Sequence, residues 1–239
     1  MTRFKEFLSE NHKQQLTLKE AAMLCATHCK DALRNNVELW RGSRDYDHKP
    51  VAWLLQGDQS TRKSANTSNH YTVILDHVLT PLGYPKRSAS IICSTDSHRA
   101  RGYGRVYRLF PYDGVKIGVC PERDMFWTPI RLLNGEIIDV YDVNRLLINA
   151  NVTDKSYSAL IDDMVAEKSA DFDAFFGKTK EEINKFFETA YSPKQTGMQL
   201  VNTKDFPSLD GNECWVGGKM IAVRQELLED FMGMVHDYV

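Results

Sequence analysis

A chain of 239 residues with 42% hydrophobic composition holds enough apolar material for a genuine core, and its net charge of −2 argues against general affinity for nucleic acid. No run approaches the roughly 18 apolar residues that a membrane span needs, and the N-terminal MTRFKEFLSENHK lacks the apolar centre of a signal peptide, so the expected setting is the cytoplasm, with no membrane partner. The five cysteines, Cys25, Cys29, Cys93, Cys120 and Cys214, are odd in number and widely spread, which fits reduced buried thiols better than a disulfide framework.

In chain order, Thr17 with Glu20 three positions on forms a capping box for a helix that ends at Asn35 and Asn36, with a short helix expected before it. Ala21, Ala22, Cys25, Cys29 and Leu33 make one apolar stripe on that helix, so the two cysteines beside His28 read as core packing and not as metal ligands. Residues 37–41 (VELWR) alternate as a strand closed by Gly42 and Ser43, which leaves Arg41 at the mouth of a loop. The polar stretch 44–68 reads as a long surface excursion and a plain mobile loop; loops of that length also act as lids over bound ligands, with Arg62, Lys63 and the polar residues 66–69 then as the covering groups. Ser68 then caps a helix to about Leu79, which Pro81 and Pro85 bring to an end.

Residues 86–111 (KRSASIICSTDSHRARGYGRVYRLFP) form the unit around which the rest is expected to be organised: an apolar strand, a hydroxyl cluster at Ser94, Thr95 and Ser97, a short helix and a second strand. Lys86, Arg87, Arg99, Arg101, Arg105 and Arg108 stand in it against the single acid Asp96, which predicts a local positive field and an anionic ligand. Asp113 and Gly114 then make a turn that pairs 105–110 with 115–119 as a hairpin. Residues 131–190 read as helices, one near 140–149, one capped by Thr153, and one opened by the Thr179/Glu182 capping box, with Phe172, Phe175, Phe176, Phe186 and Phe187 as core. After a connector, 213–223 (ECWVGGKMIAV) reads as a hairpin turned at Gly217 and Gly218, and a last amphipathic helix starts near Gln225. Strands joined by short turns favour an α+β class with an antiparallel sheet, here as a single domain of 1–239 with a helical insertion over about 131–195.

Three strand ends carry polar residues where an apolar one would continue the strand: Arg41, Ser94 with Thr95, and Glu213. An arginine fork holds a phosphate or diphosphate, a serine orients a carboxylate or sugar hydroxyl, and a carboxylate that engages a ribose hydroxyl steadies an oxocarbenium-like centre. Together these are the needs of breaking an N-glycosidic bond in a dinucleotide.

LWRG at 39–42, SIICSTDS at 90–97 followed by YGRVYRLFP, and ECWVGGKMIAV at 213–223, in that order, resemble the Arg–Ser–Glu class of ADP-ribosyltransferases, and RSASIICST with YGRVYRLFPYDG is similar to transferase-like proteins of tailed bacteriophages. The resemblance implies a split, bent β core holding NAD in its cleft, with Arg41, Ser94 and Glu213 as the catalytic set and Arg41, Gly42, Ser94, Thr95, Tyr103 and Tyr107 against NAD. It further implies transfer of ADP-ribose to a host protein or nucleic acid during infection, in the cytoplasm of the bacterial host, with carriage in the virion as a second location. Asp96 occupies the third position of the S-T-S triplet, with Ser97 next to it, and Gly211 stands where arginine-modifying members carry a second Glu or Gln, which leaves the acceptor open. Glu136, which also follows a glycine and precedes two apolar residues, is the competing carboxylate, and His98 is read as a solvated helix residue. The alternative is a non-catalytic virion or interaction protein whose basic face, from Arg87 to Arg108, binds an acidic partner or nucleic acid.

Overall fold

The computed structural model describes residues 14–43, 51–57 and 68–238. In chain order these form β1 (Gln14–Leu16), α1 (Leu18–His28), α2 (Lys30–Arg34), β2 (Leu39–Ser43), β3 (Ala52–Gln56), α3 (His70–Leu79), β4 (Ile91–Ser94), α4 (Ser97–Arg101), β5 (Arg105–Pro111) and β6 (Lys116–Val119). There follow β7 (Pro129–Arg131), β8 (Ile137–Asp139), α5 (Val140–Asn149), α6 (Tyr157–Ala166), α7 (Ala170–Phe176), α8 (Lys180–Ala190), α9 (Pro193–Thr196), β9 (Gln199–Asn202), β10 (Glu213–Val216), β11 (Lys219–Arg224) and α10 (Leu228–His236). The fold is α+β. Among the described residues no helix is long and apolar enough to cross a membrane.

One antiparallel sheet runs β1-β3-β11-β5-β2-β4-β10-β6-β9, and a two-stranded ribbon, β7-β8, stands apart from it. The large sheet is two half-sheets joined at a point. β2 pairs with β5 over five residues, from Leu39↔Leu109 to Ser43↔Arg105, whereas β2 meets β4 only at Trp40↔Ser94. Beyond that pair the ladders part, leaving β1-β3-β11-β5-β2 on one side of the fork and β4-β10-β6-β9 on the other.

The short turns do not make hairpins. β10 pairs with β4 and β6, while β11 pairs with β3 and β5, so Gly217 and Gly218 carry the chain from one half-sheet to the other. The turn at Gly114 does the same between β5 and β6. A Cβ on Gly217 would lie 2.5 Å from Pro85 Cβ, and Gly218 has φ 116° with Val115 beside it, so the connection is pressed onto its surroundings instead of folding back on its own strands.

Side chains alternating along the strands feed two large cores and a small third cluster of Trp40, Ala100 and Val106. On β10, Cys214 and Val216 join a core with Ile91, Cys93, Ile117, Val119, Leu109 and the Cys25/Cys29 stripe of α1. Trp215 points the other way, into a core built from α3 and the Phe176, Phe186 and Phe187 cluster, so the helices that follow β8 pack directly on the sheet. The Trp215 indole lies flat over Gly118, where a Cβ would come within 2.0 Å of it, and donates its N–H to Pro85 O at 3.0 Å. Burying a tryptophan removes roughly 200 Å² from water, a stabilisation of about 5 kcal/mol before entropy is counted.

Several boundaries differ from the sequence expectations. β2 runs through Gly42 to Ser43, so Arg41 sits in mid-strand and not at its end. β3 lies inside the stretch expected to be a surface excursion, because AWLLQ pairs with β11 over five residues. Arg62, Lys63, residues 66 and 67 of the expected cover, and the helix expected before residue 14 lie outside the described residues. Ser156, not Thr153, caps α6, and Ser68 bonds to the His70 ring at 2.7 Å in place of capping α3. The capping boxes at Thr17/Glu20 and Thr179/Glu182 are both formed.

Candidate active site at the fork of the sheet

The three strands that carry the sequence motifs are neighbours: β2, β4, β10. Trp40, Ser94 and Glu213 stand in one cross-strand row, since Trp40 is opposite Ser94 and Ser94 is opposite Glu213. Arg41 follows Trp40 at the place where β2 leaves β4, and its Nη1 donates to Ile92 O of β4 at 2.8 Å, bridging the opening. β2 and β10, which carry Arg41 and Glu213, thus lie two strand spacings apart, about 10 Å between backbones, on either side of the hydroxyl-bearing strand. The buried Cys93 thiol registers both: burial pushes it up to about 12, Arg41 pulls it down and Glu213 pushes it further up.

The hydroxyl turn is a clamp on β10. Ser94 Oγ accepts from Asp96 N at 3.1 Å, and Asp96 caps α4 by accepting from His98 N at 2.8 Å, which accounts for an aspartate in the third place of the triplet. Thr95 exchanges bonds with Asn212: its Oγ1 accepts from Asn212 N at 2.8 Å and its own N–H donates to Asn212 O at 3.0 Å. The Asn212 amide donates to Cys120 O and Pro121 O, both at 3.0 Å. The residue before Glu213 is therefore fixed from two directions, which sets where the carboxylate emerges. Gly211, two places before Glu213, has φ 77°, a conformation that disfavours a Glu or Gln side chain there.

Glu213 lies under the turn that follows β6. Its Oε2 accepts from Met125 N at 3.2 Å, and its Oε1 lies 2.7 Å from Arg87 Nη2, with the side chains only 13% and 6% exposed. That approach is a charge contact and not an aligned hydrogen bond, because Oε1 and Arg87 Nη1 are both buried without a hydrogen-bond partner. The Arg87 guanidinium lies over the Tyr71 ring at 5.3 Å and the Trp215 ring at 5.9 Å. Burial works against its charge, but Glu213 and Tyr71 hold Arg87 above its ordinary range. At Tyr71 burial raises the phenol, and the neighbouring guanidinium outweighs it, leaving a net lowering.

The remaining expected residues divide. Gly42 lies against α4, where a Cβ would come within 2.0 Å of Ala100 O, so this position serves close packing. Tyr107, opposite Arg41 in β5, is 6% exposed and packs in the core, whereas Tyr103 is 54% exposed at the end of α4. Glu136 is exposed on the turn between β7 and β8, in the ribbon apart from the sheet, beside a cavity of about 330 Å³ shared with Leu132, Asp142, Arg145 and Phe175. The six cations of the expected basic face divide. Arg87 is turned inward to Glu213, Arg99 pairs with Asp124 at 3.4 Å, and Arg108 packs over Trp40 and Phe110 while donating to Asn36 Oδ1 at 2.7 Å, whereas Lys86, Arg101 and Arg105 are exposed.

Arg87 is the residue sequence reasoning misplaced. Its only local signal was the adjacent serine: Asp76 on α3 accepts from Arg87 N at 2.6 Å and Ser88 N at 3.3 Å, folding 87–89 into a tight turn that swings the arginine inward. No family model, curated protein or solved structure matches the chain.

Proposed function

We propose that this protein is an NAD-dependent ADP-ribosyltransferase that acts on a host macromolecule during bacteriophage infection. The observation that carries the reading is the row Trp40–Ser94–Glu213 at the one described pairing between β2 and β4, with Arg41 directly beside it. Residues up to 173 positions apart in sequence, drawn from the three motifs of the resemblance, meet at the fork of a divided antiparallel sheet. Strands bearing a cation and a carboxylate, with the hydroxyl-bearing strand between them, suit a ligand with a diphosphate at one end and a sugar at the other.

In the reaction the bond between the ribose C1′ and the nicotinamide nitrogen breaks, the electron pair leaves with neutral nicotinamide, and an acceptor nucleophile bonds to C1′ and gives up its proton. Arg41 serves the diphosphate by charge and by its planar fork. Glu213 accepts a hydrogen bond from a ribose hydroxyl and offsets positive charge developing at the sugar carbon, an interaction stronger in the transition state than in the ground state. Ser94 and Thr95 hold the turn and Asn212, so that Glu213 needs no reorganisation as charge develops.

Nicotinamide release from NAD, measured with and without bacterial lysate and with labelled ADP-ribose followed on macromolecules, tests the reading. Wild type is expected to release nicotinamide or label a lysate component, and Glu213→Gln, which keeps shape and removes charge, to fall by about 100-fold or more. Absence of both NAD binding and turnover in wild type overturns it.

A further inference from the structure

Glu213 lies where little water reaches it, and Arg87 approaches its carboxylate to 2.7 Å. The titratable groups whose interactions with Glu213 register are Arg87 and Tyr71 from the α3 side, Cys93 on β4, Cys120 after β6 and Cys214 on β10. Burial pushes the Cys93 and Cys120 thiols up to about 12 and 11, and Cys214 is raised as well, so these thiols stay uncharged near neutrality. Arg87 alone in this group is positive.

We infer that Arg87 is a positioning residue for the proposed transfer: the buried Arg87–Glu213 contact, braced by Asp76, Tyr71 and Trp215, holds the Glu213 carboxylate in one rotamer without Arg87 touching NAD or acceptor. This rests on the transferase reading. The brace reaches the arginine from several elements. Asp76 fixes the backbone of Arg87 and Ser88, the Tyr71 and Trp215 rings lie 5.3 and 5.9 Å from the guanidinium carbon, and Glu213 lies 2.7 Å from Nη2. Trp215 and Glu213 are alternate residues of β10 and share a face, so the ring that packs on Arg87 is built into the strand that presents the carboxylate. With Oε2 held by Met125 N, the carboxyl is fixed at both oxygens, by a hydrogen bond on one and by charge on the other. At 6% exposure Arg87 is out of reach of a ligand's phosphate.

The test compares wild type, Arg87→Met, Arg87→Lys and the double variant Arg87→Met/Glu213→Gln. Steady-state nicotinamide release is read across pH, NAD affinity by calorimetry, and the Tyr71 phenolate by ultraviolet titration against Tyr71→Phe. Arg87→Met is expected to lose about 100-fold in kcat with KM for NAD nearly unchanged, because a misdirected carboxylate costs the transition state more than the ground state. Its acid limb is expected to move up by about one pH unit or more, since a buried carboxylate without its cation takes a proton more readily. Arg87→Lys keeps the charge and is expected to hold the acid limb in place and to recover part of kcat. If Arg87→Met does not fold while the double variant does, the pairing is supported and the lysine variant supplies the kinetic answer. An unchanged kcat and pH profile in a folded Arg87→Met, or a KM rise in place of the kcat loss, overturns the inference. If wild type neither binds nor turns over NAD, the transferase reading and the catalytic purpose of Arg87 fall together, while the Tyr71 titration still reports whether the charge contact exists.

Discussion

Glu213 and Glu136 are near twins in sequence and opposites in the fold. Both follow a glycine of positive φ, Gly211 at 77° and Gly135 at 89°, and both precede apolar residues that enter a strand. Glu213 opens a central strand flanked on both sides, is held by Arg87 and Met125 N, and lies beside the hydroxyl turn. Glu136 stands exposed on a two-stranded ribbon, where its backbone N–H donates to Asn134 Oδ1 at 3.0 Å and Asn134 Nδ2 reaches its carboxylate at 3.5 Å. What separates them is the partner brought by tertiary structure. A carboxylate becomes a candidate for chemistry when a buried cation and fixed donors confine it, and an identical local pattern in solvent makes only a turn.

The largest effect that sharpens this contrast is in activity. Glu213→Gln is expected to lower nicotinamide release by about 100-fold or more, and Glu136→Gln to leave it within about twofold; equal losses would dissolve the distinction. Stability gives the next largest difference. Arg87→Met leaves a buried carboxylate without its cation and is expected to cost about 3–5 kcal/mol in denaturant unfolding, with much of that recovered in Arg87→Met/Glu213→Gln. Arg145→Met beside Glu136 removes exposed contacts, to Asp142 at 4.0 Å and over the Tyr141 ring at 5.7 Å, and is expected to cost about 1 kcal/mol or less.

Local chemistry was legible in the sequence, and long-range pairing was not. Thr17/Glu20 and Thr179/Glu182 satisfy orphan helix donors with residues three apart, so both boxes could be read directly and both are formed. The helix at 140–149 and the strand opening at Glu213 were equally local. Gly217-Gly218 and Asp113-Gly114 looked like hairpin turns because turn residues report only a reversal of direction, and nothing adjacent in the chain records that β11 and β5 belong to the other half-sheet. Arg87 read as part of a basic surface for a similar reason: its acid lies 126 positions away on β10, and Asp76, which turns it inward, lies on α3. The order of Arg41, Ser94 and Glu213 could be read from motifs, and their adjacency rests on a single ladder pair at the fork.

The smallest expected difference between the two regions comes from their glycines, and it separates two reasons for being glycine. Gly42 flanks the fork, and a Cβ there would meet Ala100 O at 2.0 Å and Tyr103 Cβ at 2.8 Å, so β2 or α4 has to shift. Gly42→Ala is expected to cost about 3 kcal/mol and to weaken NAD binding, because the displaced strand is the one that carries Arg41. Gly135 has nothing within 4 Å of the same atom, so Gly135→Ala meets only the strain of φ 89°, about 1 kcal/mol, with NAD binding unchanged. Replacing Gly135 by Asn, which tolerates left-handed backbone, should return most of that loss, whereas Gly42→Asn should be at least as damaging as Gly42→Ala. Thermal unfolding of the four variants, with NAD affinity by calorimetry on each folded one, checks the pairing; a Gly42→Ala that binds NAD as wild type does would detach the fork from the ligand.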